Sequence, residues 1–371
     1  MQDILVAGAG IFGVTAALEL RRRGHRVRLL DPGPLPHPLA ASTDVSKVVR
    51  LEYGADEEYT ALAERAIDGW RRWNRDLLPL FHEIGVIFLR RSPMLPGTFE
   101  QDSYDVVSRR GHPIELLDER EIRKRFPAWG PGWTSGTFNP TGGFVESGQV
   151  VSRLLDLARQ QGVDVIEGNL TLDAKADQIV CALGAWTPHV LPHLANELRS
   201  TGHPVFHLKP RDPRPFAAGE LPVFCADISS TGWYGFPVHP STGLVKIARH
   251  GPGREMHPES PQRAVTTKEI AEMRAFVAET FPSLAGAELA STRVCLYCDS
   301  PDGHFWIARD PDRKDLVVAA GDSGHGFKFA PILGELIADV VEGRNNPAKF
   351  RWRAGVSRGP WQEAARAVQE H

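Results

Sequence analysis

Two glycine-rich turns carry the residues of this chain best suited to chemistry. Near the C-terminus, Gly321-Asp322-Ser323-Gly324-His325-Gly326-Phe327-Lys328 follows the apolar run 316–320 and leads into a helical pattern. A loop of this build aims backbone N–H groups and the positive end of a helix at something electron-rich, and Lys328 adds a full charge. At the other end of the chain, Gly8-Ala9-Gly10-Ile11-Phe12-Gly13 is a GxGxxG sequence between a short apolar run and a helical one. Its glycines allow a tight turn, close approach to a pyrophosphate and close helix–strand packing. Asp31 lies about twenty residues on, at the end of a second strand pattern, where a ribose hydroxyl would be held. These features point to an adenine dinucleotide and leave FAD and NAD open.

The rest of the chain separates the two cofactors. Val180-Cys181-Ala182-Leu183-Gly184-Ala185-Trp186 reads as a strand ending in a small-residue turn, which places Ala182, Gly184 and Trp186 where a flavoprotein chain passes close to its dinucleotide. Reduced flavin gathers negative charge at N1 and C2=O, and the amides of the Gly321 loop together with Lys328 would stabilise it. FAD is the expected cofactor.

Composition excludes other classes. The chain has 371 residues, 42% hydrophobic and 24% charged, with a formal net charge of −3. That charge gives no footprint for nucleic acid or an anionic membrane, and Arg21-Arg22-Arg23 reads as the solvated end of a helix. Four cysteines are too few for a disulfide framework, which suits a reducing compartment. Cys295 and Cys298 have CxxC spacing, but no second pair completes a zinc site. The first apolar stretch carries Asp3 where a signal peptide needs positive charge, and no run is long enough to span a bilayer. A cytoplasmic protein is expected.

The elements that must position these residues follow from periodicity. Residues 4–7, 14–23 and 25–31 read as strand, helix and strand, a βαβ unit that demands a parallel sheet covered by helices. Residues 35–46 form a loop of prolines and then small residues, Ser42 among them, lying toward the dinucleotide. Tyr59, Leu62, Ala63, Ala66, Ile67, Trp70 and Trp73 recur at helical spacing. The pattern from 88 to 144 is irregular. A helix at 150–161 and strands at 163–166 and 178–182 could rejoin the first sheet. Short strand-like pieces at 223–225, 232–236 and 243–248 then surround a helix near 266–281 that begins with a Thr266-x-x-Glu269 capping box. The expected fold is α/β: a discontinuous FAD-binding Rossmann-type domain (1–85, 145–200 and 296–371), and an α+β substrate domain with a largely antiparallel sheet (86–144 and 201–295).

Six motifs in order give the chain a family likeness. They are the glycines from 8 to 13, Lys47-x-x-Arg50-x-x-Tyr53-Gly54, Tyr234-Gly235-Phe236-Pro237, residues 246–250, Cys295-Leu296-Tyr297 with Ser300-Pro301-Asp302-Gly303-His304-Phe305, and residues 323–328. The chain resembles the FAD-dependent amine oxidases of the D-amino-acid-oxidase superfamily, in particular the group of monomeric sarcosine oxidase, pipecolate oxidase and the fructosyl-amino-acid oxidases (amadoriases). The resemblance implies that Cys295 attaches covalently to the flavin 8-methyl group, with Cys298 as a competitor. It also implies that Lys246 stands on the flavin face where oxygen is reduced, although alone it reads as an ordinary strand-surface lysine. Arg50 and Lys328 would hold a substrate carboxylate. Lys47 would touch the flavin or the substrate's polar tail, and His325 would sit beside the flavin. His250, Tyr234 and Tyr297 would position the amine.

The implied activity is FAD-dependent oxidation of a secondary amine, first of all an N-substituted amino acid of the sarcosine or pipecolate type. Hydride passes to flavin N5, and oxygen then takes the electrons to give hydrogen peroxide. A deglycating fructosyl-amino-acid oxidase and an FAD-linked amine dehydrogenase are the alternatives within the class; a catalytically silent dinucleotide sensor is the alternative outside it. Lys47 stands where sarcosine oxidase has arginine, and both Lys-x-x-Arg and the Gly321-Asp322-Ser323 opening read more like the amadoriases, tilting toward larger N-substituents. The stretch between Glu167 and Gln178 is short for the group, as if a hairpin were missing.

Overall fold

In a computed structural model of the chain, residues 1–77, 79–169, 174–344, 346–353 and 355 are described. Residues 170–173, within the stretch expected to lack a hairpin, and most of the C-terminal tail lie outside them. The βαβ unit forms as strand Asp3–Ala7, helix Ile11–Arg22 and strand Arg26–Asp31. The helix starts three residues earlier than the apolar pattern suggests, so the GxGxxG turn runs directly into its first turn.

A six-stranded sheet grows around this unit, in the order Trp306–Arg309, Leu316–Ala320, Gln178–Cys181, Asp3–Ala7, Arg26–Asp31, Asp164–Glu167. All neighbours are parallel except the edge strand Trp306–Arg309. Helices Ile11–Arg22, Ser147–Gln160 and Ala330–Val341 pack together over one face, burying Val14, Leu20, Val151, Leu154, Leu333 and Ile337 with Ile4, Val6 and Leu29 from the strands. Both faces of a parallel sheet must be covered. The other face accordingly holds Leu5, Ile179, Cys181 and Val318 against Leu191, Leu194, Leu198 and Trp306.

The second sheet has nine strands and is antiparallel but for one pair, Val86–Arg90 with Val223–Ala226. Near one edge runs the long strand Arg199–Lys209, flanked by Val245–Arg249 on one side and the edge strand Glu288–Asp299 on the other. Glu288–Asp299 runs unbroken through the 295/296 division expected from the sequence. Helix Thr267–Thr280 packs on this sheet, and its capping box forms: the Thr266 hydroxyl accepts from Glu269 N, and the Glu269 carboxylate accepts from Thr266 N.

The 88–144 stretch, irregular by pattern, contains strands Val86–Arg90, Glu115–Asp118 and Ser135–Asn139 and helices Phe99–Arg109 and Glu119–Arg125. Most of these elements are short and separated by Pro and Gly and show little period; helix Phe99–Arg109 is the exception, burying Phe99, Ser103, Val106 and Val107 along one face. The strands are specified by pairing with distant strands instead.

Period-two alternation makes the nine-stranded sheet two-faced. Phe206, Leu208, Trp233, Val245 and Ile247 point into a core shared with Phe224, Met273, Val277 and Phe281. The alternate residues, His203, Val205, His207, Tyr234, Phe236, Lys246 and Ala248, point the other way, toward the dinucleotide sheet. That second face is where the site lies.

Candidate active site

The dinucleotide end is built by close backbone approach. Gly8 has φ +96°, and a Cβ there would sit 2.3 Å from the Ala182 carbonyl oxygen; one on Gly13 would sit 1.7 Å from the Gly8 carbonyl oxygen. Both positions therefore require glycine. The turn leaves the N-terminus of helix Ile11–Arg22 facing a channel. There the Ser42 hydroxyl accepts from Ile11 N at 3.0 Å. Asp31 ends its strand with Oδ2 accepting from Ala9 N at 2.8 Å and Oδ1 from Gly33 N at 3.1 Å.

The channel has a volume of about 350 Å³. Gly8, Gly10, Ile11, Phe12, Asp31, Ser42, Lys47, Ala182, Gly184 and Trp186 line it, as do Gly324, Gly326 and Phe327 of the C-terminal loop. His37 and Glu259 also line it, and Glu259 accepts from the Trp186 indole N–H at 3.0 Å. Backbone amides, a helix N-terminus and an acid at the far strand end fit an adenine dinucleotide, with the pyrophosphate at Gly10. Ala9 and Gly13 support the turn from beneath rather than line the channel.

The channel's other end meets a smaller cavity of about 60 Å³, bounded by Arg50, Tyr234, Phe236, His250, Tyr297, His325 and Lys328. Lys47, Tyr297, Gly324 and Phe327 belong to both walls. His325 and Lys328, expected beside the cofactor, thus face this second cavity. Arg50 is buried with its guanidinium 4.8 Å from the Tyr53 ring centroid, 5.6 Å from Phe99 and 5.8 Å from Phe88. Lys328 Nζ donates to Tyr53 Oη at 2.8 Å. Tyr53 Oη lies 3.1 Å from His325 Nδ1, and His325 Nε2 donates to the Gly303 carbonyl at 2.9 Å. With Nε2 as donor, Nδ1 accepts the hydrogen bond of the Tyr53 hydroxyl. Both cations are buried beside aromatic rings, where pairing with a carboxylate is worth more than in water.

The remaining site residues come from the second sheet. Lys246 is 1% exposed; its Nζ donates to Asp44 Oδ2 and to the Ser46 carbonyl, each at 2.6 Å, and lies 4.7 Å from the Phe236 ring centroid. Burial draws the Lys246 pKa down to about 8, with Asp44 opposing that fall and Lys47 adding to it. Burial by itself would raise the Asp44 carboxyl, but Lys246, Lys47 and Arg293 outweigh it and hold the group well below the usual carboxylate range. Asp44 is fixed by helix Ser147–Gln160, since Gly148 N and the Ser147 hydroxyl both donate to its carbonyl. Lys47 Nζ lies 3.4 Å from Cys295 Sγ and 3.6 Å from Asp44. Burial opposes its charge, yet Cys295, Asp44 and Tyr234 raise its pKa above the ordinary lysine value. Burial pushes the Tyr234 phenol up to about 12.

Lys246 and Cys295 line neither cavity; they lie just behind the walls, Cys295 beneath Lys47. Cys295 and Cys298 are three apart on one strand and so fall on opposite faces; Cys298 packs against the dinucleotide sheet and also lines the channel, which Cys295 does not. All four cysteines are free thiols. Asp44 and His203 were not singled out by sequence. Asp44 extends the Lys47-x-x-Arg50-x-x-Tyr53 spacing by three residues toward the N-terminus, a legible signal. His203 stacks on Tyr297 with centroids 3.8 Å apart, a contact set by cross-strand register alone.

A family model described as FAD dependent oxidoreductase matches residues 3–340. The chain is 30% identical to the monomeric sarcosine oxidase of Streptomyces avermitilis over 91% of its own length and 93% of that protein. It is 27% identical to the monomeric sarcosine oxidase of a Bacillus species, over 91% and 92%. Among solved structures, the deglycating fructosamine oxidase of Aspergillus fumigatus (amadoriase II) superimposes with a TM-score of 0.81 at 25% identity, covering 99% of this chain and 93% of the other.

Proposed function

The chain belongs to the FAD dependent oxidoreductase family, and from that premise we propose that it oxidises small N-substituted amino acids of the N-alkyl glycine or cyclic imino acid type. The observation that carries this reading is the convergence of Arg50 and Lys328 on a cavity of about 60 Å³ that opens into the dinucleotide channel. A carboxylate pairs with the two cations, and the amine then lies under Tyr234, His250 and Tyr297. The small volume favours an N-alkyl group over a sugar.

Bound FAD supplies the hydride acceptor and passes the two electrons to oxygen, so that the products are an imine and hydrogen peroxide. The residues of the chain do the rest. Gly8, Gly10 and Asp31 hold the dinucleotide, and the amides of the Gly321 loop face its ring end. The apolar walls strip water from the substrate, which favours the neutral amine whose lone pair drives hydride loss. Lys246 offers a cation behind the wall to stabilise charge on reduced oxygen, with Asp44 fixing its position. Cys295 is the thiol offered for covalent attachment of the flavin. Four free thiols suit a reducing, cytoplasmic setting. Among the described residues, no helix is long and apolar enough to cross a membrane.

A second reading has its own support. Lys47-x-x-Arg50 and the likeness to a fructosamine oxidase favour a deglycating activity on larger N-substituents. Anaerobic bleaching of the flavin by sarcosine, pipecolate and fructosyl-glycine, followed by peroxide detection in air, decides between them. Fast bleaching by the first two supports the small-substrate reading; bleaching by fructosyl-glycine alone replaces it.

A further inference from the structure

The oxygen step consumes a proton that Lys246 cannot draw directly from water. Hydride loss from a neutral amine leaves a cationic iminium. Delivery of that hydride's proton and two electrons to oxygen makes the hydroperoxide anion, and one further proton completes hydrogen peroxide. Lys246 can give that proton, but it is 1% exposed and its partner Asp44 2% exposed. Something must resupply it.

We propose that His207 and Ser291 form a proton relay from solvent to the Asp44–Lys246 pair, running straight across the second sheet. The inference rests on the reading of Lys246 as the group serving oxygen reduction. Register places the members in one row: Lys246 is opposite His207 in the neighbouring strand, and His207 is opposite Ser291 in the next. Directly opposed residues share a face. The row therefore leads from the buried lysine to an exposed serine at the far strand. His207 Nδ1 lies 3.0 Å from Ser291 Oγ, and His207 Nε2 lies 3.9 Å from Asp44 Oδ1.

The Nε2 atom is the second observation. The His207 ring is 6% exposed, yet Nε2 has no hydrogen-bond partner among the described residues, as is also true of Ser46 Oγ and His239 Nε2. A buried ring nitrogen left in this way calls for an explanation. Here it faces a carboxylate across a gap that a bridging water, or a shift of about 1 Å, closes.

The proton balance is simple. As Lys246 gives a proton to the hydroperoxide anion, His207 Nε2–H passes one to the Asp44 carboxylate, which hands it on to Nζ, and Ser291 Oγ–H protonates Nδ1. Ser291 recovers its proton from water, and His207, left with its proton on Nδ1, resets by tautomer exchange. Asp44, Lys246, Arg293 and His239 face the ring. Burial, with the cations of Lys246 and Arg293, outweighs Asp44 and lowers the His207 pKa to about 4, so the ring stays neutral and passes the proton through without holding it.

The test separates the two half-reactions by stopped flow in His207→Phe, Ser291→Ala and Lys246→Met holoenzymes. The relay predicts that His207→Phe slows flavin reoxidation by about tenfold or more while substrate reduction stays within about twofold. Imidazole in the buffer restores the rate, and Ser291→Ala shows a smaller loss in the same step. Independently of turnover, ¹⁵N NMR of histidine-labelled protein finds His207 in the Nε2–H tautomer, and Ser291→Ala shifts its Nδ1 resonance. Equal loss in both half-reactions, absence of imidazole rescue, or an Nδ1–H tautomer overturns the relay. Unchanged reoxidation in His207→Phe alongside slow reoxidation in Lys246→Met overturns the relay and leaves the role of Lys246 standing. Unchanged reoxidation in Lys246→Met removes both. Should His207→Phe fail to fold, His207→Asn and the surface variant Ser291→Ala decide the matter.

Discussion

Arg50 is the side chain on which substrate choice turns. Its charge is held among Tyr53, Phe88 and Phe99, in surroundings where an ionic partner is worth far more than in water. Replacement by methionine keeps the volume and removes the bidentate donor. Arg50→Met should weaken binding of a carboxylate substrate by about 10- to 100-fold, while a decarboxylated amine binds within about twofold of wild type. Anaerobic titration of flavin absorbance measures both, and parallel losses would remove the clamp. Lys246 makes a second prediction. Its pKa is depressed to about 8, so the cation is present below that pH and lost as pH rises through it. Flavin reoxidation should fall across that interval in the wild type and show no such step in Lys246→Met. A flat wild-type profile would contradict the assignment.

The elements explain how these groups come together, and how much of that could be read in advance. Strand, Gly321 loop and helix form one unit in which Gly324, at φ +79°, has the Tyr297 ring where a Cβ would stand, 2.3 Å away. Gly324→Ala should therefore push Tyr297 off His203 and strain the loop. Loss of about 1 kcal/mol from the backbone alone is expected, with a larger fall in flavin content. Thermal melting and the flavin-to-protein absorbance ratio would report both; full flavin occupancy in the variant would show that the loop yields without consequence. Both glycine turns were legible because their chemistry is local: strand, turn and helix follow one another within a few residues. The capping box at Thr266 was legible for the same reason. His203 and His207 were not, because their roles arise from pairing among strands 199–209, 245–249 and 288–299. Register between segments so far apart is a property of the folded sheet, and strands as short as Glu115–Asp118 show little period of their own.

At the scale of the whole molecule, the cofactor channel is a joint between two sheets. Gly8, Asp31 and Ala182 come from one, and Tyr297 from the other. The loop that carries Ser42 is tied across by Arg293, which donates to the Ala40 carbonyl at 2.5 Å, and by Arg263, which donates to Leu39 at 2.7 Å. A ligand filling such a joint stabilises everything that builds it. If Cys295 bears the flavin, acid-precipitated wild type stays yellow and Cys295→Ala releases its colour. Retained colour in the variant would exclude that thiol. With removal possible, Cys295→Ala should melt lower without FAD and gain about 2.7 kcal/mol at a hundredfold excess over Kd. An unchanged melting point would mean that the joint closes equally well without its cofactor. The two-faced sheet beneath this joint has a consequence of another kind. Tyr234, Phe236, Lys246 and His203 alternate with Trp233, Val245, Ile247 and Phe206, so the reactive face and the core behind it are interleaved along the same strands, while Phe236 and Tyr234 pack in smaller apolar clusters on their own face. Substitutions on the reactive face remove little from the core behind it. A lineage built on this sheet can therefore exchange one amine for another by drift at alternate positions, without first acquiring a reserve of stability to spend.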